Sequence, residues 1–315
     1  LHPLFAAEAG GMDLGKSLSP AEVRDIEAAM DRYAVLVFRD QPLSQGEQVA
    51  LSRQFGPLNI GLRKATGAKS RFDYEELIDI SNVTPEGSVA PRHDGKLIFQ
   101  LGNQLWHSDS SFQQRPIKYS LLCAVVIPAE GGETEFADLR AAYDALPDPM
   151  KRQIDSLQAE HSAFHSRFLL GDTQYTPDQL KVLPPAQWPF VRTHAGSGRK
   201  VLFVGVHCTH IPGMTVPEGR VLISDLLEHA TQREFVYRHS WRVGDLVMWD
   251  NRAVLHRGRR YDLSKPRDLR RTTCEMRPEE AAQTGCGEGD ERACHRPGGV
   301  DRDLSEKPVK GEDRL

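Results

Sequence analysis

Four strand signals crowd residues 234–276: "EFVYRHSW", "DLVMWD", "AVLHRG" and "RRTTCEM". Turn residues separate them, most clearly Gly244-Asp245 and Asp250-Asn251. Upstream, "AVLVF" (34–38), "LIDISNV" (77–83), "VRTH" (191–194) and "KVLFVGVH" (200–207) read as further strands. "YSLLCAVVI" (119–127) is a near-continuous apolar run, as expected of a strand covered on both faces. Many short strands with few long helices argue for a sandwich or barrel, a mainly β fold with peripheral helices.

The helices are marked by their starts. Ser19, Pro20 and Glu22 form a capping box ahead of Val23, Ile26 and Met30 at helical spacing. Ser44 and Glu47 repeat the device, with Gly56 as the stop. A short helix is expected in "DLRAAYDALPD" (138–148), more helix up to 159, and another in 217–230. Residues 57–75 are polar and aperiodic, a loop long enough to carry function. From Pro278 to Leu315 large apolar residues nearly vanish, so the chain reads as one domain, 1–277, and a disordered tail, 278–315.

A net charge of −4 provides no global basic field for nucleic acid. "HRGRRYDLSKPRDLRR" (256–271) nevertheless concentrates cations, as a small anionic ligand requires. Five Cys without a repeat spacing form no disulfide framework and point to a reducing cytoplasm. Cys286, Cys294 and His295 lack the second Cys pair that would support a zinc site. The sequence as given opens without a charged n-region and apolar h-region, and no run reaches the ~20 apolar residues of a span, so no membrane partner is expected.

"NQLWHSDSSF" (103–112) carries the chemistry. In an extended chain His107 and Asp109 project to one side and can share a cation. His256, at the end of "AVLH", offers a third ligand from another strand. Two His and one carboxylate form the facial set of non-haem Fe(II) oxygenases, whose other positions stay open. His-x-Asp alone is a weak signal, and the distal His strengthens it. Arg267 follows His256 by eleven residues, and Thr134 follows Asp109 by twenty-five. A guanidinium fork plus a hydroxyl suits the far carboxylate of a dicarboxylate.

The order His-x-Asp, Thr, His, Arg at these spacings resembles the taurine and 2,4-dichlorophenoxyacetate family of Fe(II)/2-oxoglutarate dioxygenases, over residues 2–277. "RAAYDALP" (140–147), "RTHAGSGRK" (192–200) and "VGDLVMWDNRAVLHRGRRYD" (243–262) are long family-like runs with no structural reason to recur. The resemblance implies a double-stranded β-helix, a cupin-like jelly roll with helices outside, in a cytoplasmic, homo-oligomeric oxidoreductase. It implies that His107, Asp109 and His256 bind Fe(II), while Arg267 and Thr134 hold the co-substrate 2-oxoglutarate. O₂ would be the oxidant and ascorbate a stimulant. Arg271 lies where members hold the acidic head of the prime substrate; Asn103 and Lys64 are further candidates for that anion, and His207 follows them. The implied substrate is a phenoxyacetate-type acid, hydroxylated beside its carboxylate to give a phenol and glyoxylate, with succinate and CO₂. "RKATGAKS" (63–70) departs from the family form, so a cinnamate-type acid or a sulfonate such as taurine stays open.

Rival readings use the same residues. A jelly-roll binding protein or a zinc hydrolase would share the three ligands, but neither needs Arg267 and Thr134. Ser108 and Ser110 lie in no Gly-x-Ser-x-Gly elbow. His161, His165, His194, His210, His229 and His239 are expected to be surface or satisfied core histidines. Trp106 and Phe112 either wall an aromatic pocket or fill the core. Trp249 is expected in the core, and Arg259 and Arg260 in a solvated turn. Thr273 shares a strand face with Arg271, whereas Arg270 faces outward.

Overall fold

The computed structural model describes residues 1–60, 71–115, 117–278 and 280. Lys64, Cys286, Cys294, His295 and nearly all of the expected 278–315 tail lie outside the described residues. The strands are β1 (Ala7–Ala9), β2 (Val35–Phe38), β3 (Ile78–Ser81), β4 (Ile117–Val126), β5 (Thr134–Asp138), β6 (Gln158–His161), β7 (Ala186–Pro189), β8 (Val191–Thr193), β9 (Lys200–Leu202), β10 (Cys208–His210), β11 (Val236–His239), β12 (Leu246–Asp250), β13 (Val254–Gly258) and β14 (Asp268–Glu275). A large sheet runs β1-β2-β12-β4-β14-β3, and a small one β11-β5-β13. All pairings except β1–β2 are antiparallel. The architecture is mainly β with helices on the outside.

Side-chain parity explains how the layers meet. Val35 and Val37, Leu122 and Ala124, Val247 and Trp249, and Leu269 lie on one face of the large sheet. They pack against Phe136, Tyr237 and Val254 of the small sheet. The alternate residues Leu36, Phe38, Leu121, Cys123, Leu246 and Met248 meet Ile26, Met30, Leu51 and Phe55 of two helices on the opposite face. β12 and β4 as far as Ala124 are therefore covered on both sides, which is why "SLLCA" carries so little polarity, while Val125 and Val126 at the end of β4 are exposed. The outer face of the small sheet, with Ala137 and Leu255, packs on the helix Val216–Ala230 through Leu222 and Leu226.

Both expected capping boxes form. The Ser19 and Ser44 side chains accept from the N–H of Glu22 and Glu47, whose carboxylates accept from the serine N–H groups at 2.7 Å in each case. Thr215 and Glu218 make a third box. Other elements depart from the local signal. The helix after Ala145 covers only Asp148–Ile154, and residues 158–161 are β6 instead, held by β7 and β10. Pairing with distant strands overrides the local preference there. A helix at Gly95–Gln100, continued by a 3-10 turn at Leu101–Gln104, had no sequence signal. Arg270 lies on the face opposite Arg271, as parity requires, but it is not external. The helix Gln45–Arg53 covers it, with Gln48 donating to the Arg270 carbonyl at 2.9 Å.

Candidate active site

His107 does not sit in a strand. It makes a lone antiparallel bridge with His256, each N–H donating to the other's carbonyl at 3.1 and 2.8 Å. Asp109 opens a turn in which Ser110 has φ 53°. Strand alternation thus points to the right pair for a reason the chain does not use: the bridge aims His107, and a turn brings Asp109 back beside it.

The Nε2 atoms of His107 and His256 lie 3.9 and 3.8 Å from Asp109 Oδ1 and Oδ2. One donor atom from each of the three residues falls within 4.8 Å of the others. His107 Nδ1 is 2.7 Å from the Leu105 carbonyl, which can only accept. Nδ1 therefore carries the proton and Nε2 presents its lone pair inward. His256 Nδ1 has no hydrogen-bond partner among the described residues. Burial pushes both imidazoles below the usual histidine range. Burial alone would raise the Asp109 carboxyl, but Arg271, His256, His107 and the Ser120 hydroxyl outweigh it and bring it down to about 2. Two neutral imidazoles and an ionised carboxylate, converging and buried, fit a divalent cation of the Fe(II) type.

A cavity of about 240 Å³ opens beside this set. His256, Thr134, Arg267, Arg271 and Asn103 all line it, so five of the expected site residues meet there. Register accounts for part of this: His256 pairs with Phe136 and Gly258 with Thr134, so Thr134 and His256 share the inner face of the small sheet. Arg267 Nη2 donates to the Gly132 carbonyl at 3.0 Å, while its Nε has no partner among the described residues. Gly132 sits at φ +72°, and a Cβ there would lie 3.0 Å from Arg267 Nε, so the loop needs glycine to pass the guanidinium. Burial pulls Arg267 down to about 10. Among the described residues no carboxylate pairs with it, so it is a cation built to receive an anion. Thr134 Oγ1 accepts from Trp241 Nε1 at 3.1 Å, which leaves the hydroxyl proton for another acceptor.

Ile80, Leu97, Ile98, Leu101, Leu122, Leu263 and the Trp249 ring supply the apolar part of the remaining wall, and Arg92, Gln100 and Gln104 add polar groups to it. Trp249 is thus both core and cavity wall, and Arg259 lines the cavity rather than only a solvated turn. Trp106 packs into the outer core beneath Arg257. Phe112 clusters with Phe164, and neither Trp106 nor Phe112 lines the cavity. Arg271 Nη1 pairs with Asp109 Oδ1 at 2.6 Å, a link between the expected substrate cation and the candidate ligand that the sequence does not disclose. The His207 ring lies 6.0 Å from that of His107. His229 and His239 are satisfied by the Ala142 carbonyl and Asp245. Asp31, His194 and Asp250 form a second three-residue group, but Arg252 takes both oxygens of Asp250 at 2.9 and 2.6 Å, which makes it an ion-pair network.

Comparisons with known proteins agree with this geometry. The family model described as taurine catabolism dioxygenase TauD, TfdA family matches residues 1–273. The alpha-ketoglutarate-dependent 2,4-dichlorophenoxyacetate dioxygenase of Cupriavidus pinatubonensis is 60% identical over 273 residues, covering 87% of this chain and 95% of that protein. A protein of the same description from a Burkholderia species is 58% identical, covering 87% and 92%. The crystal structure of AAD-2 in complex with Mn(II) and N-oxalylglycine superposes with a TM-score of 0.81 at 47% identity, covering 87% of this chain and 95% of that one.

Proposed function

Because the chain belongs to the taurine catabolism dioxygenase (TauD, TfdA) family, we infer that it oxidises a phenoxyacetate-type acid, 2,4-dichlorophenoxyacetate or a near analogue. It is a non-haem dioxygenase that depends on Fe(II), 2-oxoglutarate and O₂. The observation that carries the reading is a converging His–Asp–His set at the edge of a cavity that His256 lines together with Arg267, a buried guanidinium paired with no carboxylate among the described residues.

In this reading His107, Asp109 and His256 hold the metal. Bound there with 2-oxoglutarate and O₂, it supplies oxidative decarboxylation to succinate and CO₂ coupled to hydroxylation of a C–H bond. Arg267 and Thr134 take the distal carboxylate of 2-oxoglutarate through a fork and one hydroxyl proton. Arg271, with Asn103 nearby and Lys64 as a further candidate, takes the carboxylate of the prime substrate. Ile98, Leu101, Leu122 and Trp249 exclude water from the aryl ring and set its depth. The carbon between ether oxygen and carboxylate is then the one offered for hydroxylation. The product is a hemiacetal, which releases the phenol and glyoxylate.

Strand order and antiparallel pairing support a double-stranded β-helix as the frame, since late strands β12 and β14 interleave with early β2, β4 and β3. The catalytic unit of the proposal is residues 1–277. The full chain's net charge of −4 offers no global basic field for a nucleic-acid partner, and a cytoplasmic location belongs to the same reading. Among the described residues no helix is long and apolar enough to cross a membrane. A homo-oligomer is part of the same reading, and light scattering tests it.

The test of function is anaerobic addition of Fe(II) and 2-oxoglutarate, read as the visible charge-transfer band of the chelate. 2,4-Dichlorophenoxyacetate and O₂ follow, with succinate and 2,4-dichlorophenol assayed. A band with both products is expected. Succinate without the phenol would keep the class and send the substrate search to cinnamates and taurine. No band would overturn the ligand assignment.

A further inference from the structure

Asp109 is held at both ends by one closed set of hydrogen bonds. Its backbone N–H donates to Asn251 Oδ1 at 3.0 Å. Asn251 Nδ2 donates to Ser120 Oγ at 2.9 Å, and Ser120 Oγ donates to Asp109 Oδ2 at 2.7 Å. The Trp249 indole N–H also meets Asn251 Oδ1, at 3.0 Å. The proton directions follow from the chemistry. A backbone N–H and an indole N–H can only donate, so the amide oxygen must face them. The amide NH₂ therefore faces Ser120, and the serine proton goes to the carboxylate. Ser120, Asn251 and Trp249 are 0%, 2% and 1% exposed, so water does not compete for these groups.

The arrangement answers a mechanical need. Asp109 lies in a turn and has no strand ladder to aim it. Ser120 stands on the inner face of β4, opposite Trp249 of β12. Asn251 follows β12 directly. Side chains of the large sheet thus replace the missing backbone support. Because Ser120 takes Oδ2, the carboxylate cannot swing freely about its Cβ–Cγ bond.

We propose that Ser120 and Asn251 are positioning residues that fix the Asp109 carboxylate for metal binding, with Trp249 setting the Asn251 orientation. The proposal rests on the reading of Asp109 as a metal ligand. It concerns neither the ligands themselves nor the anion-binding arginines.

The experiment measures Mn(II) affinity directly, as free Mn(II) by electron paramagnetic resonance, on the metal-stripped full chain. Ser120→Ala and Asn251→Ala are each expected to weaken Mn(II) binding by roughly 10–100-fold, the range for outer partners of metal ligands. Ser120→Thr, which keeps the hydroxyl, should restore it. The double variant should fall short of the product of the two single losses, because Asn251 acts partly through Ser120. Should Ser120→Ala not fold, Ser120→Cys, of similar size but a weak donor, should show the same loss. Mn(II) affinity within twofold of the parent in Ser120→Ala, with Asp109→Ala abolishing binding, overturns the positioning role alone. Binding that survives Asp109→Ala overturns the ligand assignment and this proposal with it.

Discussion

At the scale of single residues, the anion-binding roles proposed for Arg267 and Arg271 differ because their neighbours differ. Arg267 is 7% exposed and, among the described residues, has only the Gly132 carbonyl for its fork. A buried cation without an anion is a cost to the empty protein, and a carboxylate arriving there relieves it. Arg267→Ala should therefore raise KM for 2-oxoglutarate by roughly 30–1000-fold, about 2–4 kcal/mol, while the melting temperature of the unliganded protein holds or rises. A fall in melting temperature with KM unchanged would make Arg267 a structural residue. Arg271 differs, because Asp109 already occupies it at 2.6 Å. Arg271→Ala should cost about 2–5 kcal/mol in affinity for phenoxyacetates. It should leave KM for 2-oxoglutarate near the parent value, since Arg267 and Thr134 are untouched. Full phenoxyacetate affinity in this variant would refute the substrate assignment.

At the scale of elements, the wall of the cavity is one short helix and its continuation. Gly95–Gln100 and Leu101–Gln104 bring Leu97, Ile98, Leu101 and Asn103 to the cavity, and Ile98 and Leu101 are each 42% exposed, so they stand at its mouth. Trimming them should widen the aryl end without touching the carboxylate end. Ile98→Ala and Leu101→Ala are expected to shift the kcat/KM ratio toward bulkier aryloxyacetates and leave KM for 2-oxoglutarate unchanged. An unchanged ratio across an aryl series would remove this wall from the specificity argument. The same helix marks the limit of what local sequence shows. "GKLIFQ" is too short to display a helical period, and nothing in it points to a cavity. By contrast, β4 and β12 were legible because burial on both faces leaves a continuous apolar run. The residues that meet at the candidate site were legible because His-x-Asp, His and Arg are chemically distinctive at any position. Ser120, Asn251 and Trp241 were not, since Asn251 and Trp241 act on partners more than a hundred residues away and Ser120 meets Asp109 only across a turn between separate elements. A lone serine inside an apolar strand was the only trace of the first.

At the scale of the whole molecule, the site is a joint between the two sheets. Ser120 and Leu122 come from β4, Trp249 from β12 and Arg271 from β14, while Thr134 and His256 come from β5 and β13 of the small sheet. His107 joins the small sheet only through its bridge to His256. No part of this set exists in the unfolded chain, so ligands bind the native state alone and stabilise it by mass action. Mn(II) at a hundred times its dissociation constant should add about 2.7 kcal/mol. For a domain of this size that is a rise in melting temperature of roughly 5–10 °C. 2-Oxoglutarate added afterwards should raise it again, and should do little without the metal if the two ligands share the cavity. His107→Ala should abolish the Mn(II) increment. An increment that persists in His107→Ala would place the cation elsewhere, with the Asp31, His194 and Asp250 group as the first place to look, and Asp250→Asn would then be the variant that removes it.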